Sequence, residues 1–123
     1  YKRQGPEEPT HELANYVDQA ESPGRPTPVG MYPDGAGPRG HLDLAGNVWE
    51  WCVDTDDESV DMVTSLEAVL AAPRARWRPL RGGSYRYGAF WLRSAYRSVF
   101  ADDRYDNVGF RLCLSPASRF LGP

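Results

Sequence analysis

Apolar positions along this chain fall in short alternating runs, set between long stretches rich in Pro and Gly. The clearest run is Val48-Trp49-Glu50-Trp51-Cys52-Val53, which follows Gly46-Asn47. Gly accepts a positive φ and Asn tolerates one, so this pair predicts a turn that opens a strand. Period-two alternation puts Trp49 and Trp51 on one face, with Val48, Glu50 and Cys52 on the other. Two indoles make a large apolar anchor. Glu50, if buried, needs a cation or a metal as partner, and Asp43 across the turn could share it.

The remaining pattern is less regular. Residues 1–12 are polar, carry Pro6 and Pro9, and read as an extended arm ahead of a domain over 13–123. Leu13 to Val17 is a short apolar patch, expected to lie extended on the core. Residues 18–40 hold five Pro and five Gly. A loop of that length in a compact domain is usually functional or clamped by a ligand or metal. Asp54 to Glu58 is an acidic run, read first as a solvated turn. Ser59 or Asp61 caps an expected short helix through about Ala72. Met62, Leu66, Val69 and Leu70 share its face, and Pro73 stops it. Leu80-Arg81-Gly82-Gly83 predicts a strand running into a bulge or a close backbone approach. Val108 to Leu114 alternates as a closing strand, with Phe110, Leu112 and Leu114 facing one way and Arg111 and Cys113 the other.

Composition limits the reading to one domain of 123 residues. A net charge of −3 argues against nucleic-acid binding through phosphates. No apolar run reaches the roughly 18 residues that span a bilayer. The cations are thirteen Arg and one Lys. Arg suits forked carboxylate pairs, so many are read as scaffold partners, with a general Arg-for-Lys bias as the alternative. Cys52 and Cys113 could pair if their strands are neighbours; buried thiols are the favoured reading.

Residues 86–107 are dense in aromatics without helical period: Tyr87, Phe90, Trp91, Tyr96, Phe100 and Tyr105. Arg86, Arg93, Arg97 and Arg104 are interleaved with them. Tyr, Trp and Arg are the residues of binding hot spots. The segment is therefore read as a surface for a ligand, with Phe90 and Val99 assigned to the core.

Leu42-Asp43-Leu44-Ala45-Gly46-Asn47-Val48-Trp49-Glu50-Trp51, then Leu80-Arg81-Gly82-Gly83-Ser84-Tyr85, then Arg93-Ser94-Ala95-Tyr96-Arg97 with Gly109-Phe110-Arg111-Leu112, stand in an order that resembles the formylglycine-generating enzyme (sulfatase-modifying factor) domain family. Ala14-Asn15-Tyr16 and Pro28-Val29-Gly30 fit its upstream segments. The family's opening strand and helices have no counterpart here, so 13–123 read as the C-terminal portion of such a domain. The resemblance implies an α+β, C-type-lectin-like fold, loop-rich with few short strands and little helix.

It also implies three outcomes: copper oxidases, halves of sulfoxide synthases, and binding modules that include retroelement-diversified variable proteins. The oxidases would need two thiols after Gly83-Ser84, and residues 85–93 contain no Cys. The synthases would need a three-His iron site, and this sequence has only His11 and His41. A triad of Ser84, His41 and an Asp lacks the nucleophile-elbow pattern. The expectation is a non-catalytic ligand-binding module; the alternatives are an oxidase or sulfoxide-synthase-type enzyme, or a calcium-dependent sugar binder. By resemblance, Tyr85, Arg86, Tyr87, Trp91, Tyr96, Ser98, Phe100, Tyr105, Asp106 and Asn107 would meet a protein or cell-surface ligand, with a sugar as alternative. A structural calcium would sit on the Asp43 and Glu50 side chains and the Gly46 and Val48 carbonyls, and a second one at Asn15 and Tyr16. Compartment stays open, with a cell surface or a virion favoured.

Overall fold

The computed structural model describes residues 9–18, 22–52, 77–101 and 104–112. Most of the arm, the acidic run, the expected helix over 59–72 and Cys113 with its pairing lie outside these residues. The fold is loop-rich α+β, with few short strands and little helix. Its strands are β1 (Trp49–Trp51), β2 (Trp77–Arg81), β3 (Ser98–Ala101) and β4 (Val108–Gly109). They form one sheet in the order β3-β2-β1-β4. β2 is antiparallel to both β1 and β3, and β4 runs parallel to β1. Helix among the described residues is limited to two 3₁₀ turns, Pro33–Gly35 and Ala89–Leu92.

The expected turn is present. Gly46 has φ 78° and Asn47 φ 64°. A Cβ on Gly46 would lie 2.5 Å from the Asn15 carbonyl oxygen, so both conformation and space demand Gly. Asp43 also adopts a positive φ, 53°. The Gly pair after β2 makes the close approach predicted for it. Gly46 N–H donates to the Gly82 carbonyl at 2.8 Å, and a Cβ on Gly83 would meet the Trp91 carbonyl oxygen at 3.1 Å.

Burial follows from this turn. Trp49 is fully buried, and Trp51 on the same face is half-buried. Leu80, Tyr85, Ala14, Tyr16 and Leu92 are buried as well. Ala14, Tyr16 and Leu92 pack as one cluster, with Ala45 and Ala89 against it. The patch over 13–17 is thus only partly apolar core: Asn15 is buried with Ala14 and Tyr16, and Val17 is exposed.

Asn15 and Asn47 explain the order of the long loop. Asn15 Nδ2 donates to the Arg25 carbonyl at 2.9 Å. Asn47 Oδ1 accepts from Thr27 N–H at 2.9 Å, and its Nδ2 returns a bond to the Thr27 carbonyl at 3.1 Å. Asp43 Oδ2 accepts from Gly30 N–H at 2.8 Å. The clamp on this loop is therefore made of side-chain amides and a carboxylate. Buried backbone groups in irregular chain need such partners, and short Asn and Asp side chains supply them.

The closing strand is shorter than its alternation predicts. β4 stops at Gly109, and Phe110 and Leu112 stand exposed. Arg111 points the other way, as the alternation requires, and reaches Glu50.

Candidate functional site

After the Gly pair the chain folds back on β1. Tyr85 N–H donates to the Asn47 carbonyl at 2.9 Å and Tyr87 N–H to the Ser84 carbonyl at 3.0 Å. The 3₁₀ turn Ala89–Leu92 follows, and Asp18 Oδ2 accepts from Ala89 N–H at its start, at 3.1 Å. Residues three apart eclipse in a 3₁₀ turn, so Ala89 and Leu92 both face the core cluster. Phe90 is thereby turned outward and is 54% exposed. Arg81 Nη1 then donates to the Ser94 and Tyr96 carbonyls, at 3.0 and 3.4 Å, and fixes the next bend.

The result is a continuous array of rings from core to surface. Trp49 forms its buried base, with centroids 5.6 Å from Tyr87, 6.5 Å from Trp91 and 6.0 Å from Tyr96. Trp91 lies 5.2 Å from Tyr87 and 4.8 Å from Tyr96. Phe90 completes it at 5.9 Å from Trp91 and 5.6 Å from Tyr96, with the Arg93 guanidinium 4.7 Å above its ring. Most pairs are edge-to-face or tilted, the geometry that ring quadrupoles favour.

A second group adjoins it. Arg86 pairs with Asp106, and both are exposed. Its Nε donates to Tyr85 Oη at 2.9 Å. The Arg86 guanidinium is held above its ordinary pKa, first by that hydrogen bond and then by Asp106, with a smaller contribution from Tyr87.

The expected ligand residues therefore divide. Tyr87, Trp91 and Tyr96 are half-buried members of the array. Arg86, Asp106 and Tyr105 are exposed; Ser98 is half-buried in β3, and Phe100 occupies the same strand. Tyr85 and Asn107 stand apart from the surface set. Both are buried, Tyr85 beneath Arg86 and Asn107 donating to Ser84 Oγ at 3.2 Å. The core assignment of Phe90 and Val99 is corrected: Val99 is 48% exposed, and Phe90 is 54% exposed at the outer end of the array. Its signal was the Ala-Phe-Trp-Leu spacing of a 3₁₀ turn, which helical and strand periods both miss. Ser84 is buried with its hydroxyl taken by Asn107, while His41 is exposed, so no hydrolase triad forms. A cavity of about 430 Å³, lined by Pro23, Arg25, Pro26, Thr27, Pro28, Met31 and Tyr32, shares no residue with the array.

The calcium set at the turn does not fit the arrangement of its oxygens. Both Glu50 oxygens are taken by Arg111, whose Nη1 and Nη2 also reach the Leu42 and Asp43 carbonyls. The Asp43 carboxylate is turned to Gly30 instead. Arg111 is held above its ordinary pKa chiefly by the bonds to Glu50, with burial opposing. Among the described residues no three His, Cys, Asp or Glu side chains stand together to hold a metal. The second position fits better. Asn15 is 1% exposed, and its Oδ1 has no hydrogen-bond partner among the described residues.

A loop-rich domain built on a Gly-Asn turn, a Trp-Glu-Trp strand and a Gly-Gly-Ser crossing is the class that this geometry defines. The pattern of the sulfatase-modifying factor enzyme 1-like domain matches residues 3–116, and the chain belongs to that family. It is 35% identical over 96 residues to hercynine oxygenase of Mycobacterium tuberculosis, covering 76% of this chain and 22% of that protein. It is 40% identical over 73 residues to the serine/threonine-protein kinase Pkn1 of Chlamydia trachomatis, covering 58% of this chain and 12% of that protein. The chain thus spans about a fifth or less of the length of these curated relatives. Among solved structures, Treponema denticola variable protein 1 superposes with a TM-score of 0.53 at 24% identity, covering 80% of this chain and 34% of that one. That likeness is one of fold. Among the described residues no helix is long and apolar enough to cross a membrane.

Proposed function

We propose that this chain is a non-catalytic ligand-binding module. Its contact face would be the array of Tyr87, Phe90, Trp91 and Tyr96 with the adjoining Arg86–Asp106 pair. One observation carries the reading: the rings rest on the fully buried Trp49 yet end in an exposed Phe90 under Arg93. Large rings held by a rigid base offer contact area at low entropic cost. A protein or cell-surface ligand suits such a face, with a sugar as the alternative that stacking rings would also accept. The fold shared with a variable protein supports the finer version, a retroelement-diversified protein acting at a cell surface or on a virion. Asn15 Oδ1 offers one buried oxygen to a structural calcium behind that face.

The neighbouring DNA tests the finer version. A near-copy of the segment coding for 81–113, differing mainly at adenines and followed by a reverse transcriptase, is the expected finding. Its absence reduces the reading to a generic binding module. The resemblance to hercynine oxygenase favours a second reading, in which this segment serves an oxygenase. Hercynine turnover by the full-length protein, supplied with iron and lost on removing this domain's array, would sink the non-catalytic reading.

A further inference from the structure

The turn ahead of β1 is closed by a cation that the chain itself supplies. Four oxygens converge on one guanidinium: both carboxylate oxygens of Glu50 and the carbonyls of Leu42 and Asp43. Arg111 Nε and Nη2 take the carboxylate as a fork, the geometry in which guanidinium and carboxylate match best. Nη1 donates to Leu42 and Nη2 to Asp43, each at 3.1 Å. An all-oxygen set of one carboxylate and two carbonyls is also what a hard divalent cation selects. A guanidinium seated there and a calcium ion exclude each other by charge and by volume.

We propose that Arg111 is the structural cation of this turn, holding the Glu50 carboxylate that the family resemblance would give to calcium. The turn binds no calcium while Arg111 is seated. The contact also joins segments 61 residues apart, so it fastens the chain after β4 to the turn that sets the fold.

Thermal unfolding of the full chain tests this. Wild type and Glu50→Gln should give the same Tm difference between chelator and millimolar calcium, because this turn takes up none. Arg111→Ala should lower Tm by about 5 °C or more, and Arg111→Lys should recover only part, because an ammonium keeps the charge but lacks the fork. Adding Glu50→Gln to Arg111→Ala should cost less than Glu50→Gln does alone, as expected of partners. A wild-type Tm that rises with calcium, and no longer does so in Glu50→Gln, overturns the proposal. So does an Arg111→Ala variant with unchanged Tm. Should Arg111→Ala fail to fold, the calcium titration of wild type against Glu50→Gln decides alone. None of these readouts involves the aromatic face, so their failure would leave the binding reading untouched.

Discussion

The turn over 42–48 runs into the buried Trp49, on which the array over 87–96 rests, and the two regions are held by different forces. The turn is held by polar atoms. Asn47, Asn15, Asp43 and Glu50 each engage a backbone group or a guanidinium. The array is held by ring contacts and ends half-open. Hydrogen bonds are directional and costly to leave unmade, so they specify one backbone path. Ring contacts tolerate exchange of one large side chain for another, and their outer members cost little to alter. The turn is therefore the stiffer of the two regions, and the outer array the more tolerant of substitution.

The sharpest way to break this contrast is at the turn. Gly46→Ala places a Cβ 2.5 Å from the Asn15 carbonyl oxygen at a φ of 78°. The expected cost is about 3 kcal/mol or more, read by urea unfolding. A loss below about 1 kcal/mol would mean that the turn can shift, and that it is softer than its bonding suggests.

Asn47→Gly comes next, and it separates conformation from bonding. Gly keeps the positive φ but removes the side chain that serves Thr27. Two half-buried backbone groups of Thr27 lose their partners, for an expected loss of about 1–2 kcal/mol. Hydrogen exchange at Thr27 N–H should rise with it. Faster exchange there with Trp49 still protected would show that the loop is fastened separately from the sheet.

How much of this was legible beforehand depended on the range of the cause. The turn at Gly46-Asn47, the strand after it and the close approach at Gly82-Gly83 are set by φ preferences and period within a few residues, and all three could be read. Asn15 was placed by resemblance, but its service to the Arg25 carbonyl was not foreseen, because irregular loops leave no periodic trace. Arg111 was expected to face away from Phe110 and Leu112. That Glu50 would be its partner depended on the parallel pairing of β4 with β1, which no local pattern reveals. Phe90 goes to the core in the sequence reading because residues 86–107 carry no regular period that would show which rings face outward. A 3₁₀ turn has period three, and that alone reverses its direction. Tyr85 and Asn107 enter the surface set by resemblance alone, and Arg86 and Ser84 satisfy their polar tips inside.

Asp18 tests the join between the two regions. Its carboxylate caps the 3₁₀ turn that carries Phe90 and Trp91, while its own segment follows the core residues Ala14 and Tyr16. Asp18→Ala should cost about 0.5–1 kcal/mol, within the range of a lost N-terminal cap. Binding should fall by more than that stability loss explains, because the turn sets the direction of both rings. Equal losses in stability and affinity would reduce Asp18 to ordinary scaffold.

The smallest expected effect on stability carries the most weight for function. Phe90 is 54% exposed, so Phe90→Ala should change unfolding free energy by only about 0.5 kcal/mol. If the array is a contact face, retention of a partner selected by display against the wild-type domain should fall about 10-fold or more. Val29→Ala is the matched control: Val29 is 82% exposed in the long loop, outside the array and the Arg86–Asp106 pair, so its loss should leave retention nearly unchanged. A Phe90→Ala variant that binds as well as wild type would move the contact face off the array. The Arg86–Asp106 pair would then be the next place to look, since it is exposed and needs no ring to reach a ligand.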